Sequence, residues 1–275
     1  MMIKEKLSKT SKETNEDLIC TGENYAFVLD GVTSLGNNIN GTNDAYWYVR
    51  TFSSYLSKFI KDDNAKLAVK KSIKEMSKEL GKYTEKEESN LDIPSSCIAL
   101  IKENEDNFEL FVLGDCSIIY GNKDNQTLVT KYDIRKLDEE KIEKMKEIAQ
   151  EKGINVCETY EYILPDLIQQ RLLRNKENGY YVLDIVENAV DHAEYINVPK
   201  ENIDMILLMS DGFSSYYDCL NIEKDYKSFF LKNYVTSVEE LYEELRHIEK
   251  DDYLLNKHPR FKETDDASII KIYNK

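Results

Sequence analysis

Apolar residues recur along this chain in two rhythms, one of period two and one of period 3.6. Tyr25 to Leu29 is a run of strand formers that stops at a turn signal, Asp30-Gly31. From residue 44 to 61 the rhythm is helical, with Trp47, Phe52, Tyr55, Leu56, Phe59 and Ile60 largely on one face. Asn43 or Asp44 is placed to cap that helix. Residues 65 to 80 repeat the pattern through Ala65, Val69, Ile73, Met76 and Leu80. A polar stretch from Gly81 to Asn90 then reads as an exposed loop.

Two apolar runs follow, Cys97 to Ile101 and Phe108 to Leu113, separated by Glu103-Asn104-Glu105-Asp106-Asn107. They predict an antiparallel hairpin, and Ser117 to Tyr120 continues as strand. Residues 138 to 152 predict a helix with Ile142, Met145, Ile148 and Ala149 facing inward. The stretch from 155 to 200 reads as a mixture of helix and short strand, including Gly179 to Leu183 and Ile185 to Ala193. Ile203 to Met209 predicts a buried strand, 237 to 250 an amphipathic helix, and Ala267 to Ile272 a last strand. Strands clustered on either side of two helical pairs, with no repeat or linker, predict an α+β sandwich formed by one domain over 1–275.

Composition narrows the function. Among 275 residues, 37 Lys and Arg against 52 Asp and Glu leave a net charge of −15. Nucleic-acid backbones and anionic membranes would be repelled, so neither is expected as the main partner. The Met1 to Lys9 segment has no apolar core of a secretory signal, and no apolar run reaches the roughly 18 residues of a membrane helix. The five cysteines are scattered, without a Cys-x-x-Cys pair, and the three histidines are not closely paired. That argues against a thiolate zinc site and for reduced core thiols, hence a cytoplasmic protein.

The chemistry lies in the carboxylates. An apolar run meets an Asp beside a Gly three times: Leu29-Asp30-Gly31, Leu113-Gly114-Asp115 and Ser210-Asp211-Gly212. Asp265-Asp266 precedes the last strand, and Asn15-Glu16-Asp17 precedes Leu18-Ile19. Any one Asp-Gly is an ordinary turn. If all five segments converge, they form a set of oxygen ligands without histidine, which suits Mg²⁺ or Mn²⁺. Asp62-Asp63 and Asp251-Asp252, in polar, helix-flanking context, read as solvated surface.

In this order, Asn15-Glu16-Asp17, Phe27 to Val32, Leu113 to Ser117, Leu208 to Phe213 and Asp265 to Ser268 resemble the metal-dependent protein phosphatases of type 2C. The resemblance runs from about residue 12 to 272. It implies an α-β-β-α sandwich, two antiparallel sheets flanked by helix pairs, and hydrolysis of phosphoserine or phosphothreonine in a protein substrate. It further implies that Asp30 bridges two Mn²⁺ or Mg²⁺ ions, with Gly31 adding its carbonyl and Asp211 and Asp265 completing one ion's ligands. Glu16 and Asp17 would hold metal-bound waters, and Asp115 would join Asp211 around a third, weaker ion. Asp266 stands where many members carry Asn. The two ions would lower the pKa of a shared water, which would attack phosphorus in line.

The chain departs from the family in several places. Lys12 stands where many members have an Arg that grips the substrate phosphate, and a lysine lacks the bidentate fork. Val32 follows Asp30-Gly31 where some members carry a His proposed as general acid, so protonation of the leaving group would come from elsewhere or from metal-bound water, with His192 and His258 as candidates by chemistry alone. The segment from 130 to 200 does not match the usual substrate-side flap closely. Two further readings remain open: a catalytically silent binding or regulatory module of this fold, and a phosphatase of the same mechanism acting on a small phosphoester. A monomer is expected.

Overall fold

A computed structural model describes residues 2–39, 43–83 and 90–274. Most of the expected loop at 81–90, residues 84–89, lies outside the described residues. Ten strands and seven α-helices are described: β1 (Met2–Lys9), β2 (Leu18–Thr21), β3 (Tyr25–Val32), α1 (Asp44–Phe59), α2 (Ala65–Leu80), β4 (Ser95–Glu103), β5 (Asn107–Leu113), β6 (Ser117–Gly121) and β7 (Gln126–Thr130). They continue with α3 (Asp133–Lys152), α4 (Tyr160–Leu172), β8 (Glu194–Pro199), β9 (Met205–Met209), α5 (Asp211–Asp218), α6 (Tyr226–Lys232), α7 (Val238–Asp251) and β10 (Ala267–Tyr273).

Two antiparallel five-stranded sheets result, ordered β1-β10-β9-β6-β7 and β2-β3-β4-β5-β8. The helices α1 and α2 cover one sheet, and α5, α6 and α7 cover the other, so the layers are α-β-β-α as expected. Strand periodicity explains the layering. On β3, Phe27 and Leu29 point to α1 and α2, whereas Ala26 and Val28 point to the facing sheet. On β9, Ile206 and Leu208 enter the space between the sheets, and Met205, Leu207 and Met209 meet the other helices. Strands buried on both faces appear in sequence as unbroken apolar runs, which is why they were legible. A fully buried Phe or Leu in these layers contributes ~1.5–3 kcal/mol.

The helices follow their caps. The Asn43 side chain accepts from the Tyr46 amide at 2.9 Å and starts α1. Ser237 and Glu240 form a capping box on α7. Gly153, at φ 65°, ends α3 in the left-handed conformation that glycine adopts without cost. On α1 the inward face is Tyr48, Val49, Phe52, Leu56 and Ile60, and Trp47 and Tyr55 sit at its edges rather than inside.

Several elements differ from the sequence expectation. The helix expected from 138 begins at Asp133. The unassigned stretch contains α4, a 3-10 turn at Glu187–His192 and strand β8. β1 and β7, which were not expected, close the two edges of their sheet. Asp252 is buried at 4% exposure and not a solvated surface group. Among the described residues, no helix is long and apolar enough to cross a membrane.

Candidate active site

Antiparallel pairing sends the chosen strand ends to one edge of the sandwich. Leu18 pairs with Leu29, so Asp17 and Asp30 lie one residue beyond that pair. Asp30 pairs with Cys97 on β4, and Asp115 follows β5 at the same end. Ile269 pairs with Met209, which brings the start of β10, with Asp265 and Asp266 just before it, beside Asp211. The Ser210 amide donates to the Ser268 carbonyl at 3.1 Å and fixes this approach. Two glycines are needed for it. A Cβ on Gly212 would stand 1.9 Å from the Asp266 carbonyl oxygen, and one on Gly31 would stand 2.6 Å from the Glu16 carbonyl oxygen.

A cleft of about 410 Å³ opens at this edge. Asp30, Gly31, Asp115, Asp211 and Asp265 line it. Its opposite wall is helical, with Ile134, Asp138 and Ile142 from α3 and Leu167, Gln170 and Arg171 from α4. The segment from 130 to 200, open in the sequence reading, therefore supplies part of the site. Arg171 reaches across to the Thr33 carbonyl at 3.3 Å.

The carboxylates repel one another. Withdrawal from water, then the charges of Asp211, Asp17 and Asp115, hold the Asp30 carboxyl well above its ordinary value. Burial, with Asp115 and Asp265 nearby, raises Asp211 to about 7. Asp17 rises to about 8, chiefly through burial and against its hydrogen bonds from Ser210 and Ser268. Asp115 is raised by burial despite a hydrogen bond with the Cys97 thiol. Asp265 moves the other way: burial pushes it up, but Lys262 and Lys12 outweigh burial and hold it low. Lys262 Nζ stands 2.9 and 3.2 Å from the two Asp265 oxygens, and Lys12 Nζ stands 3.1 Å from Oδ1.

The remaining acidic residues hold the framework. Glu16 accepts from Thr33 Oγ1 at 2.6 Å and from Asn43 Nδ2 at 2.7 Å. Asp17 accepts from Ser210 Oγ at 2.7 Å. Asp266 accepts from the Glu16 amide at 2.9 Å and from the Thr10 hydroxyl, tying the start of β10 to the loop after β1. Lys12 contacts Asp265 and, at 3.5 Å, Asp266. The two histidines considered as acids lie elsewhere: His192 stacks on Tyr181 with ring centroids 3.4 Å apart, and His258 Nδ1 meets the Cys219 carbonyl at 3.2 Å.

Of the charged residues lining the cleft, Asp138, Arg171, Glu249, Arg260 and Lys262 escaped the sequence reading. Asp138 sits on a helix face with no strand end to mark it, and burial raises its carboxyl to about 6. Arg171 is one cation on a helix of weak amphipathicity. Lys262 carried one available signal, its i, i+3 spacing to Asp265.

The donor set is all hard oxygen and lacks positive charge, so in chemistry it fits Mn²⁺ or Mg²⁺. The two ammonium groups on Asp265 already occupy part of that electrostatic role. In the arrangement described, no three Asp, Glu, His or Cys side chains among the described residues surround one point closely enough to hold an ion.

Comparison with known proteins agrees with this picture. A sequence model described as protein phosphatase 2C matches residues 11–250. Among solved structures, the chain is similar to the Ser/Thr phosphatase Stp1 of Staphylococcus aureus, at 13% identity and a TM-score of 0.56, covering 100% of this chain and 96% of that one. It is similar to the Ser/Thr phosphatase PstP/Ppp of Mycobacterium tuberculosis, at 14% identity, TM-score 0.57 and 98% of each chain. The catalytic domain of PstP in complex with two manganese ions matches at 13% identity and TM-score 0.54, covering 97% of this chain and 95% of that one. At such identities the likeness is one of fold. No curated protein matches the sequence.

Proposed function

The chain belongs to the protein phosphatase 2C family, and from that we propose that it is a metal-dependent Ser/Thr protein phosphatase. The observation that carries this reading is the meeting of Asp30, Asp115, Asp211 and Asp265, from four separate strand ends, in one cleft. Asp30, Asp211, Asp265, Asp115 and the Gly31 carbonyl would hold the divalent ions. Mn²⁺ or Mg²⁺ bound there would supply Lewis acidity toward phosphoryl oxygens and ready deprotonation of water. The two manganese ions of the PstP catalytic domain are a precedent within the same fold.

The chain's own residues do the rest. Glu16 and Asp17 stand behind the cleft as buried acceptors held by Thr33, Asn43 and Ser210, and would orient water at its floor. Asp266 fixes the approach of Asp265 through the Glu16 amide. The α3–α4 wall narrows the cleft and limits access of bulk water to the phosphoryl group. Arg171 on that wall is placed to face the substrate chain. No histidine is needed as an acid in this arrangement, and Asp138 and Glu249, whose carboxyls burial raises to about 6 and about 7, are the cleft groups suited to donate a proton.

A second reading is favoured by one observation. Lys262, seated on the Asp265 carboxylate, is what a silent binding module would show. Calorimetry separates the two: the phosphatase reading expects Mn²⁺ binding that Asp30→Asn weakens, and the module reading expects none. Comparing turnover of a phosphopeptide with that of p-nitrophenyl phosphate separates a protein phosphatase from one acting on small phosphoesters.

A further inference from the structure

The loop between α7 and β10, residues 252–266, is a built part of the cleft. Asp252 accepts from the Lys257 amide at 3.0 Å and the His258 amide at 2.9 Å. Arg260 Nη1 meets Asp252 Oδ2 at 2.9 Å and the His258 carbonyl at 2.7 Å, and its Nη2 donates to the Glu263 carbonyl at 3.0 Å. Phe261 packs onto the α3–α4 cluster around Met145, Ile163 and Leu255. Lys262 is therefore bracketed by anchored neighbours and presented to the cleft from a fixed backbone.

Among the described residues lining the cleft, the cations are Arg171, Arg260 and Lys262. Arg260 spends its donors on the loop and the end of α7, and Arg171, on the opposite α4 wall, gives one donor to the Thr33 carbonyl and has no contact with the Asp265 side of the cleft among the described hydrogen bonds. Lys12 is not among these lining residues; it stands against Asp265 and Asp266. Lys262 differs from all three. Its side chain is 47% exposed, against 34% for Lys12, and its ammonium sits within 3.2 Å of both Asp265 oxygens. An ammonium has three donors, so engagement with Asp265 leaves capacity for an oxyanion arriving at the cleft mouth.

We propose that Lys262 binds the phosphoryl oxygens of the substrate, taking the part that the family resemblance assigns to Lys12. This inference rests on the phosphatase reading for its substrate, but inorganic phosphate tests it without turnover. A phosphate dianion entering a cleft lined by carboxylates needs a fixed cation at the rim, and the clamped loop supplies one.

The experiment is calorimetric titration of the Mn²⁺-loaded protein with inorganic phosphate, for wild type, Lys262→Gln, Lys262→Arg and Lys12→Gln. Loss of a charge-assisted contact predicts about tenfold weaker phosphate binding in Lys262→Gln, recovery to within about threefold in Lys262→Arg, and a smaller loss in Lys12→Gln. Mn²⁺ affinity of Lys262→Gln stays equal or tightens, which a merely structural role would not produce. With a phosphopeptide, KM rises more than kcat falls. Phosphate binding by Lys262→Gln within about twofold of wild type, or no phosphate binding by wild type, overturns the inference. Wild type that binds phosphate through Lys262 but turns over neither a phosphopeptide nor p-nitrophenyl phosphate sustains the phosphate site and removes the phosphatase reading.

Discussion

Ser210 donates its hydroxyl to Asp17 at 2.7 Å, linking the residue after β9 to the residue before β2 across the two sheets. The same oxygen accepts from the Ser268 amide at 3.0 Å. One small side chain thus joins three of the strand ends that form the cleft. Replacing it leaves the 2%-exposed Asp17 short of a donor. Ser210→Ala is expected to cost ~1–3 kcal/mol of stability, read by urea unfolding. An unchanged unfolding midpoint would remove this link from the account.

Gly212 has no room for a side chain. The position that a Cβ would take lies 1.9 Å from the Asp266 carbonyl oxygen, a backbone atom that cannot swing aside. Gly212→Ala must part β10 from the start of α5 and is expected to cost about 1–3 kcal/mol, as overpacking does. It should also weaken Mn²⁺ binding, because Asp211 and Asp265 move apart. Thermal unfolding with and without Mn²⁺ checks both, and a variant as stable as wild type contradicts the close approach.

Arg260 and Asp252 form a nearly buried ion pair at 2.9 Å, with side chains 11% and 3% exposed. Burial pushes the Asp252 carboxyl up, but the Lys257 and His258 amides and Arg260 outweigh it and hold the carboxyl below 3.8. A depressed folded pKa contributes stability above the unfolded value, and that contribution is lost as pH falls through the folded value. Arg260→Ala should therefore cost about 3 kcal/mol near pH 7, by stranding a buried carboxylate, with the difference from wild type shrinking below about pH 4. Chemical unfolding at pH 7 and pH 3.5 measures this, and a difference independent of pH is the opposing result.

Removing metal should expose the repulsion among the cleft carboxylates. Asp211 at about 7 and Asp17 at about 8 are raised above 3.8, as is Asp30, so the folded metal-free protein binds more protons than the unfolded chain across that window. Its stability then falls as pH rises from about 4 to 8. Mn²⁺ offsets the repulsion, so its stabilising thermal shift grows between pH 6 and pH 8. A chelator-treated protein more stable at pH 8 than at pH 6 contradicts this.

Much of this was legible before the structure because strands buried on both faces leave continuous apolar runs. Tyr25 to Leu29, Leu110 to Leu113 and Met205 to Met209 are such runs, and each ends within two residues of a cleft carboxylate. β1 was hidden because Glu5 takes an inward position, paired with Lys271 at 3.1 Å, and a bulge between Ile3 and Glu5 breaks the alternation. α4 was hidden because Ile163 is its one buried residue and Pro165 stands inside it. The acidic pair Asp251-Asp252 reads as surface because sequence does not reveal that Arg260, eight residues on, folds back over Asp252. Strand ends reported the carboxylates, but the cations of the cleft come from a helix and a loop, where no periodicity marks them. The −15 net charge is consistent with that division, since the cleft uses only a few of the 52 acidic residues.

The central claim is that the converged carboxylates make this chain a metal-dependent phosphatase. Its most direct test is hydrolysis of a phosphothreonine peptide with Mn²⁺, with and without a chelator, by wild type, Asp30→Asn and Asp211→Asn. The account predicts turnover that the chelator abolishes, and a loss of at least about 100-fold in each variant, whose folding is verified by circular dichroism. Folded wild type without activity, or activity indifferent to the chelator and to both substitutions, would contradict it.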